Sequence, residues 1–307
     1  MEAENKSGRI IYSGNERYFE TIIERAYCGK SVHYFLKHRL HFSESMIRRR
    51  KFIDRGICVN HRMRFVNYIL KTGDVFTVRL VDKGFIDKGG QSVWFDPPES
   101  IPDLDIVYED DDIIVIDKDS GICCHPSPGH YSDTISNQLA VHLGIKEGKL
   151  FPVGRLDKDT SGLVTWAKNS DAAAILTYER THGIFEKTYL AEVQGIMDDM
   201  DIVGPIRKTP GEFMHYEVHI SGRPAITHIH VLERDLERNR SLIKIMIEHG
   251  RTHQIRVHLA YKGHPIIGDP IYNHELSDET MKLKAYKLAF RKVYTGEKMF
   301  IESKKDF

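Results

Sequence analysis

Charge along this chain is sorted into blocks, and no other feature limits its folding as much. Between Lys30 and Asp82 twelve lysines and arginines stand against four acids, 12 minus 4 or +8. From Asp96 to Asp119 ten acids meet Lys118 alone, 1 minus 10 or −9, although the whole chain is formally neutral. Segregation of this kind points to a small basic module that meets a polyanion, joined to something else by an acidic connector. The connector falls at Lys83 to Asp105, where Gly89-Gly90, Pro97-Pro98 and Pro102 break helix and strand patterns alike. A length of 307 residues, about two ordinary domains, suits that division. The expected plan is an extension at 1–29, a basic module at 30–82, the connector at 83–105 and a larger unit at 106–307.

Composition excludes several classes. At 41% hydrophobic and 29% charged the chain is an ordinary folding sequence. Apolar runs such as Ile113 to Ile116 and Leu242 to Ile247, the second interrupted by Lys244, fall far short of the roughly 20 residues of a membrane helix. The N-terminus MEAENKSGRI has no secretory pattern, so the cytoplasm is the expected location. Four cysteines make neither a disulfide framework nor C-x-x-C pairs. Neither Cys123-Cys124-His125 nor the group His249, His253, His258 has established ligand spacing, so no metal is expected. No G-x-G-x-x-G, phosphate loop or G-x-S-x-G is present, and no cofactor is expected.

In the basic block Ser31 can cap a helix carrying Val32, Phe35, Leu36 and Leu40 at helical spacing. Ser43 can cap a second, through Met46, Ile47 and Ile53 to Gly56, with Arg48, Lys51 and Arg55 recurring on another face. Short strands at Ile57 to Val59 and Asp74 to Val81 follow, the first ending in a turn at Asn60-His61. Two basic helices and a small sheet ending in YILKTGDVFTVRL resemble the αL RNA-binding module first described in a small-subunit ribosomal protein. That resemblance implies contact with RNA backbone and shape, with Arg48, Arg49, Lys51 and Arg55 as candidates.

From Ile106 onward strands alternate with helical stretches. Ile106 to Tyr108 and Ile113 to Asp117 read as a hairpin; Leu163 to Ala167, Thr188 to Gln194, Ala225 to Leu232, Leu242 to Glu248 and Lys287 to Phe290 as strands. Helices are expected from Ser170 through Arg180 and from Thr252 through Leu259. Two phrases carry chemistry. FPVGRLDKDTSGLVTWAKN, residues 151 to 169, sets Asp157 between Arg155 and Lys158, cations that favour an ionised carboxylate able to act as nucleophile or base. The same residue could instead cap a turn. HGRTHQIRVHLAYKGHPIIGDPIY, residues 249 to 272, is the second.

R-L-D-x-x-T-S-G, then K-x-Y-x-A-x-V at Lys187 to Val193, then G-R-T-H-Q-I-R-V-H-L closely resemble the RluA-type family of RNA pseudouridine synthases. HPSPGHYSDT, GRPAITHIHVLE and GHPIIGDPIY extend the likeness over about residues 106 to 291. The resemblance implies an α+β fold with a mixed, largely antiparallel sheet. It implies that Asp157 is the catalytic aspartate, that Tyr189 lies against the target base, that Arg256 pairs with Asp157 and that Leu283 lies beneath the base. Arg155, Arg251, His253 and Gln254 stand as further substrate-binding candidates. Three positions depart from the family pattern: Gly154 before R-L-D, Asp119 after Lys118, and Lys284. The chemistry so implied isomerises uridine within RNA, ribosomal RNA first and transfer RNA as the alternative. The expected partner is RNA and not DNA or a membrane, and the expected state is a monomer. Two rivals are a non-catalytic RNA-binding or ribosome-associated protein and a hydrolytic glycosidase, which needs a second paired carboxylate.

Overall fold

The computed structural model describes residues 8–81, 104–145, 150–275 and 278–307. Most of the expected connector, including Gly89-Gly90, Pro97-Pro98 and Pro102, lies outside the described residues.

The N-terminal unit holds β1 (Arg9–Ser13), β2 (Glu16–Ile22), α1 (Val32–His38), α2 (Glu44–Lys51), β3 (Ile57–Val59), β4 (Arg62–Met63) and β5 (Val75–Arg79). Both expected caps form: the Ser31 hydroxyl accepts from the Tyr34 N–H and that of Ser43 from the Met46 N–H. Asn60 and His61, both at positive φ, turn β3 into β4. The sheet runs β1-β2-β5-β3-β4, so residues upstream of Lys30, expected as an extension, supply two of its five strands. Their signal is weak because β2 alternates only partly and takes its register from β5.

The larger unit contains β6 (Ile106–Glu109), β7 (Ile113–Lys118), α3 (Ile135–His142), β8 (Phe151–Pro152), β9 (Ser161–Ala167), α4 (Ser170–Thr181), β10 (Glu186–Gln194), β11 (Met200–Val203), β12 (Ile206–Lys208), β13 (Tyr216–Val218), β14 (Ile226–Asp235), β15 (Arg240–Glu248), α5 (Gln254–Tyr261), β16 (Leu283–Arg291) and β17 (Lys298–Glu302). Its main sheet has the order β11-β14-β15-β10-β16-β9-β7-β6, with β17 on β16 and β8 on β9. Among the described residues only β16 and β9 pair in parallel, so the fold is α+β with a mixed, largely antiparallel sheet.

Alternation along the central strands makes the sheet two-faced. On β7, Ile113 and Val115 join one apolar cluster while Ile114 and Ile116 join another. The first is covered by α4, through Ala172, Ile175 and Leu176, and by the N-terminal unit. The second is covered by α3, through Ile135 and Leu139, and by α5, through Ile255 and Leu259.

The N-terminal unit is therefore docked against the sheet. Ion pairs buried in that contact fix its seat. The Arg17 guanidinium donates twice to Asp112, at 3.1 and 2.6 Å, and Asp112 also accepts from Asn169 at 3.0 Å. Arg50, buried on α2, donates to Asp171 at the start of α4 and to the carbonyls of Arg79 and Met46. Arg49, expected on RNA, donates to the same carboxylate, which is fully buried and takes two guanidinium groups. Helix α2 ends at Lys51, short of the expected Gly56, so Arg55, at φ 51°, stands in the turn before β3 and not on the helix; Arg48, Lys51 and Arg55 are all exposed.

Removing one partner from a buried pair leaves a desolvated charge, at about 3–5 kcal/mol. Arg17→Met should lower unfolding free energy in urea by that amount, and removal of residues 1–105, which strands both Asp112 and Asp171, by more. A truncated chain as stable as the parent would refute this account of the contact.

Candidate active site

Asp157 sits on the loop from β8 to β9, with its side chain 21% exposed. Two glycines shape that loop. Gly154 has φ +85°, a backbone that a residue with a side chain would hold only under strain. Gly162 has φ +101°, and a Cβ there would lie 2.3 Å from the Ala285 carbonyl oxygen. Only glycine lets β9 approach β16 for the parallel pairing of Gly162 with Ala285. The Thr160 N–H returns to the Asp157 carbonyl at 3.2 Å.

Lys118 braces the loop from below. Its ammonium, buried at the end of β7, donates to the carbonyls of Asp119 at 2.9 Å and Lys158 at 2.8 Å, and the Ser120 hydroxyl donates to that of Asp159 at 2.7 Å. Burial pushes Lys118 down to about 8. The departure at Asp119 has a local partner, since its carboxylate accepts from Lys305 at 2.7 Å.

The second motif folds over Asp157 from α5. His253 precedes the helix in the left-handed region, with φ 55°, and Arg256 follows one turn on, so both face the loop. The Arg256 guanidinium forks onto Asp269, Nε to Oδ2 at 2.8 Å and Nη2 to Oδ1 at 2.7 Å, while Nη1 lies 3.6 Å from Oδ2 of Asp157. Arg256 thus pairs with Asp157 by charge, and its bidentate partner is another residue. Burial alone would lower the guanidinium; the hydrogen bonds and charge of Asp269, then the charge of Asp157, hold it up. Nε2 of His253 lies 3.9 Å from the same Asp157 oxygen.

Tyr189 on β10 and Leu283 on β16 point to this face of the sheet. Tyr189 stands opposite Ala285 and Leu283 opposite Ala191, and both are buried in the cluster that contains Leu156, next to Asp157. Burial, then the charge of Asp157, pushes the Tyr189 phenol well up, so it stays protonated and can donate. Lys284 turns to the opposite face, where its ammonium meets the carbonyls of Lys305 and Asp306. A cation at that position therefore does not enter the site.

Three sequence candidates have other partners. The buried Gln254 amide donates to the carbonyls of Ile226 at 2.8 Å and Glu248 at 3.0 Å and accepts from the Arg251 N–H at 2.8 Å, so it fastens α5 to β14 and β15 and has no reach left for RNA. Arg251 donates to the Pro224 carbonyl at 3.0 Å, and Arg155, exposed, to the Thr252 hydroxyl. His258 bridges the Thr227 hydroxyl and the Gly204 carbonyl. Among the described residues no group of three or more His, Cys, Asp or Glu side chains is placed to hold a metal ion. Asp269 and Tyr272 were marked in the sequence only by GHPIIGDPIY, yet Asp269 is fully buried, forks Arg256 and accepts from the N–H groups of Ile271 and Tyr272.

A part-exposed carboxylate thus stands beside a buried arginine, with a protonated tyrosine in the apolar cluster next to it. The RNA pseudouridylate synthase family model matches residues 112–261. An uncharacterized RNA pseudouridine synthase of Bacillus subtilis is 36% identical over 259 residues, spanning 81% of this chain and 82% of that one. The chain belongs to the RNA pseudouridine synthases of the RluA type. The ribosomal large subunit pseudouridine synthase D of Pasteurella multocida is 42% identical over 178 residues, 57% of this synthase and 54% of that one. Among solved structures, human RNA pseudouridylate synthase domain containing 1 matches with a TM-score of 0.56 and 25% identity, covering 68% of this synthase and 86% of that chain. As a member, this synthase is an isomerase acting on uridine in RNA.

Asp269 acts on the synthase through Arg256. Asp269→Asn should lower the single-turnover rate about 100-fold, the scale of a misplacement near 1 Å, with RNA affinity within about tenfold. Arg256→Lys should also lose turnover, because a point charge cannot replace a fork held on two carboxylates. Near-parental rates in both variants would remove Asp269 from the site.

Proposed function

We propose that this synthase isomerises a uridine of large-subunit ribosomal RNA, with Asp157, Tyr189 and Arg256 as its working groups. The observation that carries the proposal is the placement of Asp157 beside the buried Arg256 and next in sequence to Leu156, which packs in one cluster with Tyr189 and Leu283. In the reaction the bond from the anomeric carbon to N1 breaks, a bond to C5 forms, the C5 proton leaves and N1 gains a proton. No electron is gained or lost overall. Asp157 works at the sugar, either as nucleophile or as the charge that steadies the anomeric carbon. Its cationic and its imidazole neighbour both approach Oδ2, which supports a reading in which Oδ1 is the oxygen that works at the ribose. Tyr189 offers its ring to the uracil and its hydroxyl as donor. The target must leave its stack, at a few kcal/mol and least in a loop.

The ribosomal target is supported by the name of the Pasteurella relative and by three exposed cations, Arg48 and Lys51 on α2 and Arg55 in the turn after it, which suit a phosphate backbone. Action as a monomer in the cytoplasm belongs to the same proposal.

Asp157→Asn should abolish tritium release from RNA labelled at uridine C5 while RNA affinity stays within about tenfold, roughly 1.4 kcal/mol. Mapping of pseudouridines with and without the protein should show one site or a few appearing in large-subunit RNA. Sites confined to transfer RNA would overturn the substrate, and turnover by Asp157→Asn the chemistry. Replacing Arg48, Lys51 and Arg55 together by alanine should flatten the log-log salt dependence of RNA binding by about 0.7–0.9 per lost phosphate contact. An unchanged slope would mean that the stripe does not touch RNA.

A further inference from the structure

Tyr272 has no role in the site described so far, yet one imidazole connects its hydroxyl to the catalytic carboxylate. The phenol oxygen accepts from the Tyr216 N–H at 3.0 Å and lies 2.9 Å from Nδ1 of His253. Nε2 of that ring lies 3.9 Å from Oδ2 of Asp157, the oxygen that Arg256 approaches at 3.6 Å. His253 and Tyr272 are both buried, at 5% and 7% exposure. Around the imidazole stand Asp157, Arg256, Asp269 and Arg155, and its burial outweighs the pull of Asp157, so the ring stays neutral. Burial also holds the Tyr272 phenol up at about 12, so it keeps its proton.

A neutral imidazole carries one N–H. The Tyr272 oxygen already accepts from backbone, so the arrangement that gives both the phenol proton and the ring proton a partner directs the phenol proton to Nδ1 and places the ring proton on Nε2, the nitrogen nearer Asp157. A distance of 3.9 Å is long for a hydrogen bond, and catalytic contacts of this kind tighten when substrate closes the site.

We propose that Tyr272 and His253 are paired positioning residues: Tyr272 sets the tautomer of His253, and Nε2–H of His253 joins Arg256 in holding Oδ2 of Asp157, which keeps Oδ1 turned to the ribose. The proposal rests on Asp157 being the catalytic carboxylate. It assigns His253 to the carboxylate, whereas the motif alone suggested RNA, and it adds Tyr272 to the site.

Two substitutions at His253 separate this role from a structural one. Glutamine can place an amide N–H near the position of Nε2, whereas asparagine places its amide near Nδ1, facing Tyr272. Asparagine is the better residue for the left-handed backbone at φ 55°. The expected result is that His253→Gln keeps kcat within about tenfold of the parent and His253→Asn loses about 100-fold, with KM for RNA unchanged in both. Asparagine equal to or better than glutamine would overturn the proposal. Tyr272→Phe should lower kcat about tenfold in the parent and leave it unchanged in the His253→Gln background, because the tautomer no longer matters there. An equal loss in both backgrounds would show that the hydroxyl serves only the Tyr216 N–H.

A readout free of turnover keeps this separate from the functional proposal. Long-range nitrogen–proton correlation of the imidazoles in the full chain, with His253 identified by its absence from the glutamine variant, should show the Nε2–H form in the parent and a mixture in Tyr272→Phe. The Nδ1–H form in the parent would end the proposal even if Asp157 proves catalytic. Turnover by Asp157→Asn would end the functional reading whatever the tautomer.

Discussion

A guanidinium closed in between two carboxylates governs the geometry of this synthase. Arg256 is 2% exposed, and a cation so buried is tolerated only where its donors are satisfied. Asp269 meets that need with a fork, and it is itself held by the N–H groups of Ile271 and Tyr272. The turn that follows α5 is thus shaped around one side chain of that helix. Asp157 then meets a charge whose position was settled without it, so the fold does not depend on Asp157 to satisfy Arg256. The longer distance of Nη1 to Asp157, 3.6 Å against 2.7 Å to Asp269, is consistent with that division of labour.

The same logic of settling charges before the substrate arrives holds at the contact between the two units. Asp112 and Asp171 belong to the elements that flank β9, the strand that follows the Asp157 loop, and each draws an arginine from the N-terminal unit. Buried pairs of this kind add little net stability compared with apolar packing, yet they penalise every other seating of one unit on the other. The basic unit is in consequence a fixed part of the enzyme surface, where charge segregation and a proline-bearing connector alone suggested a tether.

How far the sequence could be read followed the range of the interactions. Helix caps at Ser31 and Ser43, the strands of the main sheet and the order of the three motifs depend on near neighbours or on compact phrases, and these are legible. Helix α3 was missed because its buried face includes Ser136, Asn137 and Gln138, whose burial depends on partners such as the carbonyls of Cys124 and Tyr131. The internal partners of Arg49 and Gln254 were not legible for a related reason. Both are polar, sit in basic or motif-rich stretches, and find their partners 122 and 28 residues away. Asp269 escaped notice because an acid before proline looks like a turn residue. It is one, and the free side of its carboxylate takes up Arg256.

The two faces of the sheet impose a further condition on the RNA. Asp157, Tyr189 and Leu283 belong to the face covered by α3 and α5, whereas the N-terminal unit packs on the face covered by α4. Packed layers are spaced at about 10 Å, so a substrate that touches both the pocket and the stripe on α2 has to pass around the end or edge of the sheet and span at least one such layer. A single-stranded loop can supply the flipped uridine, but a loop alone is too pliable to hold two contacts at a set separation. A folded RNA, with a helix beside the loop that carries the target, provides that separation at no ordering cost when it binds. The rigid seat of the basic unit has its complement in a rigid substrate. If the proposed stripe on the basic unit touches RNA, selection among uridines rests on the shape of the RNA around the target as much as on the nucleotides next to Asp157.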